Sequence, residues 1–283
     1  MKRSAVVQDL LRITDQIPMF RETICGISYT DCGAMGRQPI KDITNRAYLV
    51  HGGSGKAPHV YMYWKDKAKG FVDITTEKPG YKIFVGEDMP AYFSTENLPY
   101  RLKYLNVSNL DVSCVRDFSG CFSGYEDQYF PVELIGYEDW DTAKAQKINW
   151  MFEGFKKSTQ NNVLDLSKWN FSNVKHARGT FENFECSAKT IKIKLPKWNM
   201  EGAVDCSCMF YKFGLRAKNI EIKNIENWKV NSEVNLDNFF YWFGPEADYK
   251  LDLSNWWDIG NRPKQMNSFA STKGTLFNIK LPQ

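Results

Sequence analysis

Seven phenylalanines, Phe93, Phe122, Phe152, Phe181, Phe210, Phe240 and Phe269, follow one another at a near-constant step of about 29 residues, a repeat-array period. A second column keeps phase with them. Leu110, Trp140, Trp169, Trp198 and Trp228 stand at one common offset before Phe122, Phe152, Phe181, Phe210 and Phe240, and Trp256 stands one position further from Phe269. Two columns in register at this period specify a tandem array, in which one supersecondary unit stacks on the next and none can bury its apolar face alone. The core of such an array grows along one axis, so one elongated body is expected from the 283 residues. Function then belongs to the surface of the stack.

Apolar residues make up 43% and charged residues 25%, a soluble balance, and the 15% of aromatics reflects the rings that the repeat uses as spacers. A surplus of four positive charges gives no ground for nucleic-acid binding from net charge, so the distribution of lysines has to decide. The N-terminal stretch has a basic start, but Asp9, Arg12 and Asp15 break its apolar run, and it does not read as a secretory signal. No stretch reaches the roughly 20 apolar residues of a membrane span. Cys25, Cys32, Cys114, Cys121, Cys186, Cys206 and Cys208 are an odd set that falls mostly inside repeats, which fits a reducing cytoplasm better than a disulfide framework.

Residues 1–82 read as an N-terminal helix and β cap, and 83–283 as a solenoid with a C-terminal capping strand. In the cap, Val6, Leu10, Leu11 and Ile13 recur at helical spacing between Ala5 and Ile17, forming a stripe suited to docking on the solenoid. Strands are expected at Ala47–Val50, His59–Trp64 and Gly70–Thr76, which are rich in β-branched and aromatic residues. From Ile83 onward each unit reads as a short strand, a turn around the Trp column and an irregular or helical return ending in Phe-x-x-aromatic. The strands are visible as Leu105–Val107, Leu164–Leu166, Ile191–Leu195, Ile220–Ile222, Leu251–Leu253 and Phe277–Leu281, with period-two alternation directing one side inward. Phe122/Tyr125, Phe152/Phe155, Phe181/Phe184, Phe210/Phe213 and Phe240/Phe243 sit three apart, the spacing that sets both rings on one side of a helical turn, so a second buried ladder is expected. The fold class is an α/β repeat solenoid with one short parallel strand in each repeat unit.

Local motifs for chemistry are incomplete. Gly52-Gly-Ser-Gly-Lys56 resembles a phosphate loop, but Val50 stands where the pattern needs glycine and Ala57 where it needs Ser or Thr, so it reads as a turn between cap strands. Cys206 and Cys208 would be half of a thiolate metal site, yet no second pair or spaced histidine accompanies them, and small buried side chains are the better reading. His51, His59 and His176 are scattered, with no nucleophile signature around them. Asp165 and Asp252 occupy corresponding strand positions. Recurrence at equivalent sites argues for a structural or surface role, because catalysis needs one constellation and not a ladder. No catalytic, cofactor-binding or metal-binding residue is assigned, and enzyme activity is not expected.

The stretches Leu164-Asp-Leu-Ser-Lys-Trp-Asn-Phe-Ser-Asn-Val174 and Leu251-Asp-Leu-Ser-Asn-Trp256, with Trp150-Met-Phe-Glu-Gly-Phe155 and Cys208-Met-Phe-Tyr-Lys-Phe213, resemble the BspA-type leucine-rich repeat family. The resemblance runs from about residue 83 to the end. It implies a leucine-rich-repeat-like right-handed stack, and a role in adhesion or protein binding of the sort credited to bacterial surface proteins of that family. No secretion or wall-anchoring signal of the sort those proteins usually carry is read in this sequence, so a surface role is not the first expectation.

Strand alternation places Tyr104, Asn106, Ser108, Leu134, Gly136, Asp165, Ser167, Lys192, Lys194, Glu221, Lys223, Lys250, Asp252, Asn278 and Lys280 on the outward face. Its second half is rich in lysine. Lys192, Lys194, Lys223, Lys250 and Lys280 are therefore the candidate residues for docking a protein partner with an acidic surface, with Tyr104, Tyr137 and Trp242 as candidate aromatic anchors. The expected function is that of a cytoplasmic, non-enzymatic protein-binding module, an inhibitor or adaptor. A cell-surface or virion attachment protein is the alternative, and nucleic-acid binding through the lysine strip the third.

Overall fold

The computed structural model describes residues 24–31, 47–51, 60–66, 68–76, 79–94, 97, 102–124, 131–157, 163–185, 188–258, 260–270 and 278–282. The helix expected over 5–17, the glycine-rich turn at 52–56 and the ring of Tyr125 lie outside them. The described strands are β1 (Gly26–Tyr29), β2 (Ala47–His51), β3 (Val60–Asp66), β4 (Phe71–Thr76), β5 (Ile83–Phe84), β6 (Tyr104–Asn106), β7 (Leu110–Asp111), β8 (Pro131–Ile135), β9 (Lys156–Lys157), β10 (Val163–Asp165), β11 (Thr190–Lys194), β12 (Asn199–Met200), β13 (Asn219–Lys223), β14 (Lys229–Val230), β15 (Leu251–Asp252) and β16 (Ile279–Lys280). Helical structure among the described residues is of the 3-10 kind, as at Ile225–Asn227. The chain is thus a β-solenoid, and the α component expected of it does not occur there. No helix among the described residues is long and apolar enough to cross a membrane.

The strands of successive coils pair in parallel at the period of the repeat. Leu164 stands beside Ile193 and Ile193 beside Ile222, while Asp165 faces Lys194 and Lys194 faces Lys223. Alternation does the rest: in β13 Ile220 and Ile222 are buried and Asn219, Glu221 and Lys223 are exposed. At the N-terminal end β2, β3 and β4 form an antiparallel meander, and β1 inserts between β4 and β6, parallel to both. Cap and solenoid therefore share one seven-stranded sheet, ordered β2-β3-β4-β1-β6-β8-β9, which crosses the boundary placed at residue 82. β1 had no sequence signal, because its position is set by partners far along the chain.

Rings fill the interior as ladders. Phe93, Phe122, Phe152, Phe181, Phe210 and Phe240 stack nearly parallel, with centroids 5.2–5.6 Å apart. Phe155, Phe184, Phe213 and Phe243 form the expected second ladder, at 5.1–6.1 Å. The column tryptophans Trp140, Trp169, Trp198, Trp228 and Trp256 turn the corner after their strands and are buried. Four of their indole N–H groups are satisfied by carbonyls of the preceding coil: Trp140 donates to Val107, Trp169 to Tyr137, Trp228 to Pro196 and Trp256 to Ile225, at 2.8–3.3 Å. A buried indole N–H needs such an acceptor, and the stack supplies it at a fixed offset.

The returns are not helical turns. They pass residues of positive φ in register, at Ala91, Gly120, Trp150, Gly179, Cys208, Asn238 and Ser268, each one or two positions before the ladder phenylalanine. This backbone turns alternate N–H groups toward the next coil. Cys206, Cys208, Phe210 and Lys212 donate to the carbonyls of Asn235, Asp237, Phe239 and Tyr241, each at 2.9 Å. Even the irregular side of the coil thus has its main-chain polar groups paired between units.

Candidate functional site

Each Asp-Leu-Ser segment ends its strand in a turn closed by the aspartate. In Asp165, Oδ1 accepts from the Ser167 N–H at 3.1 Å and the Ser167 hydroxyl at 2.6 Å. Asp252 does the same with Ser254, at 3.0 and 2.6 Å. The second carboxylate oxygen faces the next coil, where Lys194 Nζ reaches Asp165 Oδ2 at 2.7 Å and Lys280 Nζ reaches Asp252 Oδ2 at 3.1 Å. Glu221 takes the intervening position, 3.7 Å from Lys192 and 3.0 Å from Lys223. Four of the five lysines selected from the sequence are therefore ion-paired, and the strand face is a ladder of mixed sign and not a basic strip. Lys250 is exposed and has no ion pair with a described residue.

The carboxylates respond to this setting. At Asp165 burial alone acts upward, but hydrogen bonds from Lys194 and Ser167 outweigh it and hold the group below the ordinary carboxylate value. Asp252 is lowered to about 2, chiefly by Ser254 and then by Lys280. Glu221 is lowered by its hydrogen bond from Lys223 foremost, with Lys192 adding to it. These groups stay ionised through the physiological range, so the face presents fixed charges.

The candidate aromatic anchors separate. Tyr104 is half-buried on β6, its ring 5.9 Å from that of Phe71. Tyr137 is fully buried and its hydroxyl oxygen accepts from the Asp165 N–H at 3.1 Å, so it belongs to the stack. Trp242 is exposed, but on the return side and not on the strand face. Around β8 the outward residues are Glu133 and Ile135; Leu134 is buried, because it pairs in register with Leu105. Asp165, Glu221 and Asp252 were placed on the outward face, but their pairing with the lysines was missed, although the period could have found it: Lys194 follows Asp165, and Glu221 follows Lys192, at the step of the repeat.

Other sequence candidates take structural places. Cys206 is buried and its thiol is pushed well up by burial, while Cys208 is half-buried and raised by burial and then by Glu182. Among the described residues no three His, Cys, Asp or Glu side chains are grouped so as to hold a metal ion. His176 lies in the column of bridges between Lys147 and Asp205; His59 lies outside the described residues.

No curated protein and no solved structure matches the chain. A family model described as "Mycoplasma protein of unknown function, DUF285" matches residues 87–222 and 190–281, which together take in the whole solenoid from its first return to its last strand. The chain belongs to that family.

Proposed function

We propose that the chain is a non-enzymatic protein-binding module that docks a partner on its strand face, as an adaptor or inhibitor. The observation that carries this reading is the ordered charge ladder Asp165–Lys194, Lys192–Glu221–Lys223 and Asp252–Lys280 on an exposed parallel sheet. Charges already held in place need little further ordering on binding, and they favour a partner of complementary pattern over one that is merely of opposite net charge. The partner presents carboxylates to the lysines and a cation near Glu221. The reading keeps the BspA-type likeness, with its right-handed, leucine-rich-repeat-like winding, and a cytoplasmic setting.

The test is a pull-down from lysate of the native organism with the wild-type chain and with Lys192→Glu, Lys194→Glu, Lys223→Glu. One stoichiometric protein retained by the first and lost by the folded variant supports the reading. Retention by both moves the site off the strand face. Capture of nucleic acid alone, falling steeply as salt rises, replaces it with the nucleic-acid reading. Recovery of the chain only at the cell surface replaces it with attachment.

A further inference from the structure

The return side carries two exposed tryptophans, Trp150 and Trp242, 38% and 48% accessible. Both have positive φ, 51° and 58°. The positions equivalent to Trp150 in other coils hold Ala91, Gly120, Gly179, Cys208, Asn238 and Ser268, and those equivalent to Trp242 hold Gly154, Asn183 and Lys212. Most are small or are residues that tolerate this region. A bulky residue there is a backbone outlier, and neither indole is buried in return. Unfavourable backbone kept at an exposed aromatic points to binding rather than to folding.

The surroundings are built. The Trp150 indole lies over Gly179 of the next coil, where a Cβ would come within 2.6 Å of Cδ1 and 2.7 Å of Nε1. The Arg178 guanidinium carbon is 5.9 Å from the Trp150 ring centroid, and Nη1 donates to the Ser207 hydroxyl at 3.4 Å. Arg178 forms no ion pair with a described residue, so its planar fork is positioned without a carboxylate. One coil on, Lys212 Nζ lies 5.2 Å from the Tyr211 ring centroid. Tyr211 stacks on Tyr241 at 5.7 Å, and Tyr241 lies nearly parallel to Trp242 at 6.2 Å. Trp150, Arg178, Tyr211 and Trp242 thus come from four consecutive coils. At a strand spacing of about 4.8 Å the three steps rise roughly 14 Å along the stack, and Trp242, two residues after its ladder phenylalanine where Trp150 stands two before, lies further along its coil, so the run crosses the return side obliquely.

We infer that the return side from Trp150 to Trp242 binds an extended peptide segment of a partner protein, with apolar side chains on the two indoles and one carboxylate on Arg178. Trp, Tyr and Arg are the residue types that dominate binding energy at protein interfaces, and a guanidinium fork fits a carboxylate bidentately. Glu182, whose Oε2 lies beside Gly179, and Glu153 and Asp237 on the same turns add negative charge that disfavours a polyphosphate backbone. This site is separate from the strand face and holds whether or not that face binds.

The test is selection from a displayed library of random peptides on the full chain, followed by titration of the selected peptides against Trp150→Ala, Trp242→Ala, Arg178→Gln and the strand-face variant Lys192→Glu, Lys194→Glu, Lys223→Glu. Selected sequences with an acidic residue between apolar ones, weakened at least about tenfold by each return-side substitution but within about twofold for the strand-face variant, are the expected result. Melting curves are expected to be retained in the two alanine variants, since each removes a bulky residue from positive φ, and this separates lost binding from lost folding. Failure to select peptides, selected peptides that bind the return-side variants as well as wild type, or loss confined to the strand-face variant would each overturn the proposal. So would retention of oligosaccharides on a glycan array with loss in the tryptophan variants, which assigns the platform to sugar rings.

Discussion

Trp169 donates its indole N–H to the main-chain carbonyl oxygen of Tyr137, 2.9 Å away in the preceding coil. Trp198, one unit later, is as deeply buried, but its indole nitrogen has no hydrogen-bond partner among the described residues. Its ring meets Trp228 and Phe171 edge-on, at 80° and 79°, whereas Trp169 lies nearly parallel to Trp140, at 14°. Replacement by phenylalanine removes the same ring atoms at both positions, and at Trp169 alone it also removes a hydrogen-bonded N–H. Trp169→Phe is therefore expected to destabilise by about 1 kcal/mol more than Trp198→Phe, the size of one net hydrogen bond. Either residue changed to alanine is expected to lose about 3–5 kcal/mol through the cavity left in the ladder. Urea melts of the four variants measure this; equal effects of the two phenylalanine substitutions would remove the role assigned to the Tyr137 carbonyl.

The parts of this fold that were legible in sequence are those in which a single residue type recurs at the unit period. The Phe and Trp columns and the strands β10, β11 and β13 belong to that class. β1 was not legible, since Gly26–Tyr29 is short, stands outside the repeat and acquires meaning only from pairing with β4 and β6. The returns misled because two rings at a spacing of three suit a helical turn and a coil with positive φ equally. Glycines 120, 154, 179, 214 and 244 were the contrary signal. The strand face was legible as to which side points outward in β11 and β13, but reading each strand alone hid the ion pairs, which join residues one unit apart.

Asp252 titrates at about 2 in the folded chain, against an ordinary aspartate value of about 3.9. A carboxyl lowered by folding binds its proton more readily when unfolded, so its stabilisation is complete above about pH 4 and is lost as pH falls from there through the folded value. Carboxyl-carbon NMR is expected to place the Asp252 midpoint near 2. The midpoint should move upward in Ser254→Ala more than in Lys280→Met, because the serine supplies the larger share. A midpoint near 4 in the wild-type chain would show that the turn and the ion pair do not hold the carboxylate.

Gly154 has φ 61°, and a Cβ on it would lie 2.3 Å from the Gly124 carbonyl oxygen of the neighbouring coil. Gly80 has φ 78° with nothing within 4 Å of its Cβ position. Gly80→Ala then carries only the left-handed penalty of about 1 kcal/mol, while Gly154→Ala adds a backbone collision that can be relieved only by moving two coils apart. The expected order is a clear fall in melting temperature for Gly154→Ala and a small one for Gly80→Ala. Similar values for both would mean that the coils are not in this close contact.

Lys194 and Asp165 are 2.7 Å apart, yet their side chains keep 43% and 31% of their accessibility, so water screens the pair. A double-mutant cycle on Lys194→Met and Asp165→Asn is expected to return a coupling of about 0.5 kcal/mol or less, falling further in high salt. Asparagine can still accept from the Ser167 N–H, so the cycle isolates the charge from the turn. A small coupling means that Lys194→Glu leaves the folded chain intact, and that binding lost on this substitution is lost at the surface. Exchanging the pair, Asp165→Lys with Lys194→Glu, restores the local ion pair but reverses the pattern offered to a partner. The exchange also removes the acceptor that closes the turn on Ser167, so a melt below that of the wild type is expected, and if the strand face binds by charge pattern a titration on the same sample is expected to show no recovered binding. Recovery of binding would show that the pair acts on the fold and not on the partner.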